Sequence, residues 1–178
     1  MDELYEVLER KNGFYAFGSA LRVFPLHSTE REIGLVEWNA TDLWINEYQG
    51  MAAGAIFFAE DIFGGQFCIK TNGIYSFDPE TADMEFVAAD LEAWAGLVLA
   101  DSEFLTGYEI ANEWQQLKGR LTPGVRLVPK KSFVAGGDFS IENLYELNTV
   151  KSMQLRANLA IQIKNLPDGS KVRLVITD

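Results

Sequence analysis

Four short apolar segments follow one another between residues 55 and 88, separated by turn residues. They read AIFFAED (55–61), QFCIKT (66–71), GIYSFD (73–78) and MEFVA (84–88). Gly64-Gly65 separates the first two segments and Asn72-Gly73 precedes the third, and Asn-Gly is among the strongest short signals for a hairpin. The pattern predicts four strands of an antiparallel meander.

Helical patterns flank these strands. Apolar residues recur at helical spacing over residues 4–11, 43–49, 91–100 and 103–118. Further along, the sequence predicts strands at VRLVP and NLYEL, a helix from Val150 to Leu166 capped by Thr149, a turn at 167–169 and a last strand at KVRLVIT. Strands in a run with helices grouped around them indicate an α+β fold, in which helices pack on a central, mainly antiparallel sheet.

The length favours one folded unit. A chain of 178 residues is normally one domain, so we expect residues 1–178 to form a single domain with a core over about 4–117. The segment 121–178 would then be a strand–helix–strand extension.

A single cysteine, Cys68, excludes an intramolecular disulfide. The start MDELYEVLERKNG lacks the basic and apolar regions of a signal peptide, so a cytoplasmic protein is expected.

Charge is distributed unevenly along the chain. The net charge is −11, yet residues 1–117 carry 21 acids and 5 bases, and residues 118–178 carry 5 acids and 10 bases. Between Lys70 and Lys118 there is no lysine or arginine. Such a field repels nucleic acid and anionic membranes and attracts a basic partner. Acidic surfaces also favour solubility, and a basic C-terminal part that folds back would offset the field.

Few combinations of residues in this sequence could form a catalytic site. The only histidine, His27, follows a strand in a polar turn, and Cys68 lies in an alternating apolar strand, where it is expected to be a buried, chemically idle side chain. One His and one Cys cannot supply the usual zinc ligands. We therefore expect no catalytic, cofactor or metal site. A hydrolase using two carboxylates stays open, although the adjacent Glu60 and Asp61 should point to opposite faces of a strand.

The turns of the meander carry a group of acids. We expect Glu60, Asp61, Asp78, Glu80 and Asp83 to cluster at one end of the sheet and to contact a partner. Asp61 and Asp78 have an alternative role, because either carboxylate could cap its turn by accepting backbone N–H bonds.

The same stretch resembles a known superfamily. FFAEDIFGGQFCIK followed by NGIYSFDPETADMEFVAADLEAWAGLVL is similar to the core of the SUKH superfamily, which includes a fungal regulator of cell-wall assembly and killer-toxin resistance and many bacterial immunity proteins. The matching positions are Phe58, Asp61, Gly65, Gly73, Ile74, Asp78, the helix beginning near Asp90, and Asn12-Gly13 after the first helix. The resemblance covers about Leu4 to Leu117.

The resemblance implies a non-enzymatic protein-binding module. Bacterial members commonly neutralise secreted polymorphic toxins by direct binding, and many of those toxins are basic nucleases, which agrees with the acidic field of this chain. The first alternative is a regulatory or scaffold protein without a toxin partner, as in the fungal relative. The second is the carboxylate-dependent hydrolase.

Overall fold

The central element is a six-stranded sheet whose strands lie in the order in which they occur in the chain. The computed structural model describes residues 2–167 and 169–170. The strands are β1 (Phe14–Ala16), β2 (Leu21–Val23), β3 (Ile56–Glu60), β4 (Gln66–Lys70), β5 (Gly73–Phe77) and β6 (Met84–Ala88). Every pairing is antiparallel. The predicted meander and the α+β class are confirmed, with β1 and β2 as two further strands.

Helices and a second, smaller sheet complete the fold. The helices are α1 (Asp2–Arg10), α2 (Leu35–Trp38), α3 (Leu91–Ala100), α4 (Ser102–Thr106), α5 (Tyr108–Lys118) and α6 (Thr149–Ile163). Strands β7 (Val125–Pro129) and β8 (Leu144–Asn148) pair antiparallel, and short 3₁₀ helices occupy Ile45–Tyr48, Phe133–Ala135 and Ile141–Asn143. The strand expected at 171–177, and Asp168 of the expected turn, lie outside the described residues.

The β4–β5 hairpin shows why a glycine is needed at its turn. Lys70 pairs with Gly73, so Thr71 and Asn72 form the connection, one residue earlier than predicted. Gly73 has a φ of +140°, and a Cβ there would lie 2.5 Å from the carbonyl oxygen of Ala88 on β6. Any side chain would therefore push the third and fourth strands of the meander apart.

Both faces of the sheet are covered by apolar side chains. Gln66 and Phe67 are neighbours on β4 and so point to opposite faces. Phe67 contacts Trp94 of α3 edge-on, whereas Gln66 accepts a hydrogen bond from the indole of Trp38. Met153 of α6 lies in the same buried cluster as Phe67, Trp94 and Trp38. The C-terminal part of the chain thus contributes directly to the main core.

A second buried cluster joins the two sheets. It contains Ala20, Ile62, Ala111, Trp114, Leu121, Leu127 and Leu144. Trp94 of α3 packs on the main sheet, where its ring meets Phe58 and Phe67. Trp114 of α5 belongs to the second cluster, together with Leu127 of β7 and Leu144 of β8.

Two helix boundaries differ from the predictions for physical reasons. The long helix expected over 103–118 is interrupted at Gly107, whose φ is +68° and whose added Cβ would lie 2.7 Å from Ile62. Asn148, not Thr149, caps α6 by accepting N–H bonds from residues 150 and 151. Thr149 instead donates its hydroxyl proton to Glu60 at 2.6 Å. None of the helices within the described residues is both long and apolar enough to cross a bilayer.

Candidate partner-binding cleft

An open cleft of about 370 Å³ lies at one end of the meander. The loop between β3 and β4 (61–65) and the loop between β5 and β6 (78–83) both leave the sheet there, since Gln66 pairs with Phe77. The acids that line the cleft are Asp61, Asp78, Glu80, Asp83 and Glu85. The structure therefore brings four of the five predicted partner-binding acids into one place.

Asp61 holds the first loop in shape. Its Oδ1 accepts the backbone N–H groups of Phe63 and Gly65, both at 2.8 Å, which is the turn-capping role considered for it. Burial raises the pKa of Asp61 to about 7, against the opposing effects of these two N–H bonds and of the Arg156 charge. The carboxyl is thus poised to change protonation near neutral pH.

The second loop presents its acids differently. Asp78 Oδ1 accepts the Glu80 N–H at 2.7 Å, which is again a capping bond, yet the Asp78 side chain stays exposed. Asp83 and Glu85 are exposed as well. These three carboxylates form the acidic rim of the cleft.

Glu80 was expected on the surface and is buried instead, with 2% of its surface exposed. Its Oε2 accepts the N–H of Val134 at 2.9 Å, so the 3₁₀ helix Phe133–Ala135 covers it. Its Oε1 has no hydrogen-bond partner among the described residues. Burial raises the pKa of Glu80, although the Val134 bond and the Arg156 charge oppose the shift.

Aromatic rings also line the cleft, beside the acids. Phe133 and Phe139 stack with ring centroids 3.9 Å apart, and both rings meet Phe63 edge-on. Phe139 is 62% exposed and Phe104, also on the cleft, is 84% exposed. Large apolar side chains this exposed beside acids are typical of an interaction surface.

Glu60 does not belong to this site, which corrects its assignment as a partner-binding residue. It is fully buried, and its Oε1 lies 3.2 Å from Nη1 of Arg22 and 3.0 Å from Nε of Arg126. Nε of Arg126 and Oε1 of Glu60 form an ion pair, but the angle between them lies outside the range of a hydrogen bond. Burial alone would raise the pKa of Glu60, but Arg126 and Arg22 hold it below its usual range. Glu60 is a structural counterion within the fold.

The basic C-terminal part of the chain supplies charges to the acidic part. Arg126 lies against Glu60, and Arg156 donates to the carbonyl of Phe63 at 2.7 Å beside Asp61. A Cβ on Gly64 would lie 2.5 Å from Nη2 of Arg156, so glycine makes room for this side chain. These arginines offset buried acids, and no ion pair within the described part of the chain involves the rim carboxylates.

The cysteine and histidine lie in different surroundings. Cys68 is fully buried, and burial raises the pKa of its thiol to about 12, whereas His27 is exposed. No group of three or more His, Cys, Asp and Glu side chains within the described part of the chain could hold a metal ion.

Sequence reasoning missed the residues that reach the cleft from the C-terminal part, namely Phe133, Phe139 and Arg156. The one available signal was compositional, because Phe133 and Phe139 are the two aromatic residues of the loop between two strands. Arg156 looked like an ordinary surface charge of an amphipathic helix.

Comparison with known proteins bears on the fold. No protein-family model and no curated protein matches this chain. Among solved structures it is similar to the crystal structure of Atu4351 from Agrobacterium tumefaciens, with 12% identity and a TM-score of 0.57 over 88% of this chain and 75% of that chain. At this identity the likeness shows the fold alone, and it agrees with the α+β architecture. Membership of the SUKH superfamily stays a prediction.

Proposed function

We propose that this protein is a non-enzymatic binding module and, more specifically, an immunity protein that neutralises a basic toxin, such as a nuclease, by direct contact. The observation that carries the proposal is the cleft, where an acidic rim and exposed aromatic rings lie side by side. The SUKH resemblance supplies the biological context, and the physical character of the surface supports it independently.

The charge of the rim favours rapid association with a basic protein. Asp78, Asp83 and Glu85 are exposed. Arg156, the one base that lines the cleft among the described residues, is 5% exposed and engaged within the fold. Complementary charge of this kind raises association rates, and its effect falls as salt is added. The exposed rings of Phe104 and Phe139 provide apolar area for the complex once it has formed.

Charge reversal on the rim tests the proposal. Asp78→Lys/Asp83→Lys should lower the association rate with the toxin encoded beside this gene by about tenfold or more at low salt, and flatten its salt dependence. Glu80 is left unchanged, because a lysine in its buried position would disrupt packing.

Glu109→Lys/Glu113→Lys is the matched control, since it makes the same charge change on exposed positions of α5 that do not line the cleft. If both double variants lower the association rate equally, the rim acids act only through the net charge of the protein. Unchanged binding in the rim variant would refute the docking surface.

The scaffold alternative uses the same surface with a different partner. A folded protein that binds no toxin but retains another partner through Asp78 and Asp83 would favour it. The genetic neighbourhood separates the two, because an immunity protein is expected beside a large toxin with a variable C-terminal domain.

The hydrolase alternative has one observation in its favour, since Asp61 and Glu80 both have raised pKa values and line one cleft. Chromogenic glycosides and esters assayed across pH would test it. Turnover that depends on pH near 7 and is lost in Asp61→Asn would establish an enzyme.

A further inference from the structure

The floor of the cleft contains a buried carboxylate whose hydrogen-bonding capacity the fold uses only in part. Glu80 is 2% exposed, and its Oε1 has no hydrogen-bond partner among the described residues. A buried carboxylate oxygen without a donor is costly, so such a group marks a place where a ligand can supply the missing bond. Glu80 lines the cleft, and its other oxygen, Oε2, accepts the N–H of Val134 at 2.9 Å, which fixes the carboxylate in place.

The nearest positive charge does not fill this position. Arg156 donates to the carbonyl oxygen of Phe63 and to the hydroxyl and carbonyl oxygens of Ser152. Within the described residues it comes within 4 Å of no carboxylate oxygen, since every ion pair there belongs to Arg22 or Arg126. Among the described residues, the five acids that line the cleft therefore face one arginine, each of whose side-chain nitrogens already donates a hydrogen bond within the fold.

The aromatic wall determines which cation fits best. The stacked rings of Phe133 and Phe139 stand beside the acids, and Phe104 is exposed at the mouth. A guanidinium is planar, stacks on aromatic faces and is less strongly hydrated than an ammonium, which suits a partly enclosed, ring-lined cleft.

We propose that this cleft takes the side chain of one arginine of the protein partner, with its guanidinium between Glu80 and Asp61 and its aliphatic stem against Phe133 and Phe139. The inference rests on the proposed binding function and names the chemical group that the site recognises.

Binding of a cation should be linked to proton release. Burial raises the pKa of both Glu80 and Asp61, so part of their charge appears only when a cation arrives. The charged and titratable groups that face them are Arg156 of α6, Asp78 of the second loop, Arg126 of β7 and Tyr48. Affinity should therefore increase as pH rises from below to above about 7.

The first experiment uses small probes, so that it does not depend on the partner. ¹⁵N-labelled protein is titrated with Nα-acetyl-arginine amide, Nα-acetyl-citrulline amide and Nα-acetyl-lysine amide while amide resonances are followed. Arginine should shift the signals of residues 61–65, 78–83 and 133–139, and neutral citrulline, which has the same shape, should not. Equal binding of citrulline, or tighter binding of lysine, would overturn the assignment.

The second experiment removes the acceptors. Glu80→Gln keeps an acceptor for Val134, and Asp61→Asn keeps one for the loop N–H groups. Each should weaken arginine binding about tenfold, the usual effect of losing a hydrogen bond to a charged group. Glu92→Gln makes the same charge change on exposed α3 and should have no effect. Cleft variants that fold and bind arginine like the wild type would refute the inference.

The two proposals fail in different ways. A toxin that binds wild type and both cleft variants equally would leave the binding function standing and refute the arginine site. Arginine binding at the cleft without any toxin binding would retain the site and refute the immunity function.

Discussion

Replacing Arg126 by methionine should destabilise the protein more than any comparable surface change. Arg126 is 1% exposed and Glu60 is fully buried, with Nε and Oε1 3.0 Å apart. Methionine keeps much of the apolar volume of the side chain and removes its charge. The carboxylate of Glu60 would then share its buried site with Arg22 alone.

The size of the effect follows from the geometry. Coulomb's law at an effective dielectric constant of ~20 gives about 4 kcal/mol for charges about 4 Å apart. Removing one member of a buried ion pair costs about 3–5 kcal/mol in measured cases, which agrees. Glu60 keeps Arg22 at 3.2 Å and the Thr149 hydroxyl at 2.6 Å, so the lower end, about 3 kcal/mol, is expected.

Urea denaturation at neutral pH measures this loss, and Arg120→Met on an exposed arginine is the matched control. Glu60→Gln and the double variant complete a cycle that should give a coupling energy of about 1–3 kcal/mol. Acid unfolding of Arg126→Met should begin at higher pH, because a lowered carboxyl pKa stabilises the fold until pH falls through it. Additive effects, or a loss within about 0.5 kcal/mol of the control, would refute the reasoning.

Three further outcomes follow from the described contacts. Asp61→Asn should gain stability relative to the wild type as pH rises from about 4 to 7, by up to about 1.4 kcal/mol per pH unit, because ionising Asp61 in the folded protein is costly. Thermal melts of both proteins across this pH range measure the gain, and a difference that does not change with pH would contradict it. Trp94→Ala should lower the free energy of unfolding by about 3–5 kcal/mol in urea titrations, since the ring packs on Phe58 and Phe67. An unchanged melting temperature would contradict this prediction. Cys68 should react slowly with iodoacetamide in the folded protein, and Cys68→Ala should leave binding intact, whereas rapid alkylation would contradict its burial.

The meander from β3 to β6 could be predicted because its signals are local. Each of its strands pairs with the next one after a short turn, so apolar alternation and turn residues carry the information. The Asp90 cap of α3 is local too, since its carboxylate accepts the N–H of Ala93 three residues later. Gly107 misled the helix prediction, because the reason for the break is the close approach of Ile62 from a distant loop.

The site was only partly predictable because burial of its acids depends on distant residues. Glu60 and Asp61 are adjacent at a strand end and look alike in sequence. Glu60 is nevertheless fully buried between two arginines, whereas Asp61 is partly buried and bonds to its own loop. Glu80 is covered by Val134, 54 residues further along the chain. Nothing within its neighbourhood in sequence distinguishes it from exposed Asp83. Local patterns predicted that these acids cluster at one end of the sheet. Only the folded chain shows which of them are buried and which are exposed.

The partners of Glu60 determine when the protein becomes stable during synthesis. All six strands of the main sheet have been translated by Ala88, but Arg126 and Thr149 follow much later. Neighbouring strands can pair early on the ribosome, because their contacts are close in sequence. The carboxylate must stay hydrated or protonated until its second arginine arrives. Synthesis of the segment that carries Arg126 and Thr149, rather than completion of the sheet, therefore sets the moment at which the newly made protein resists unfolding and proteolysis.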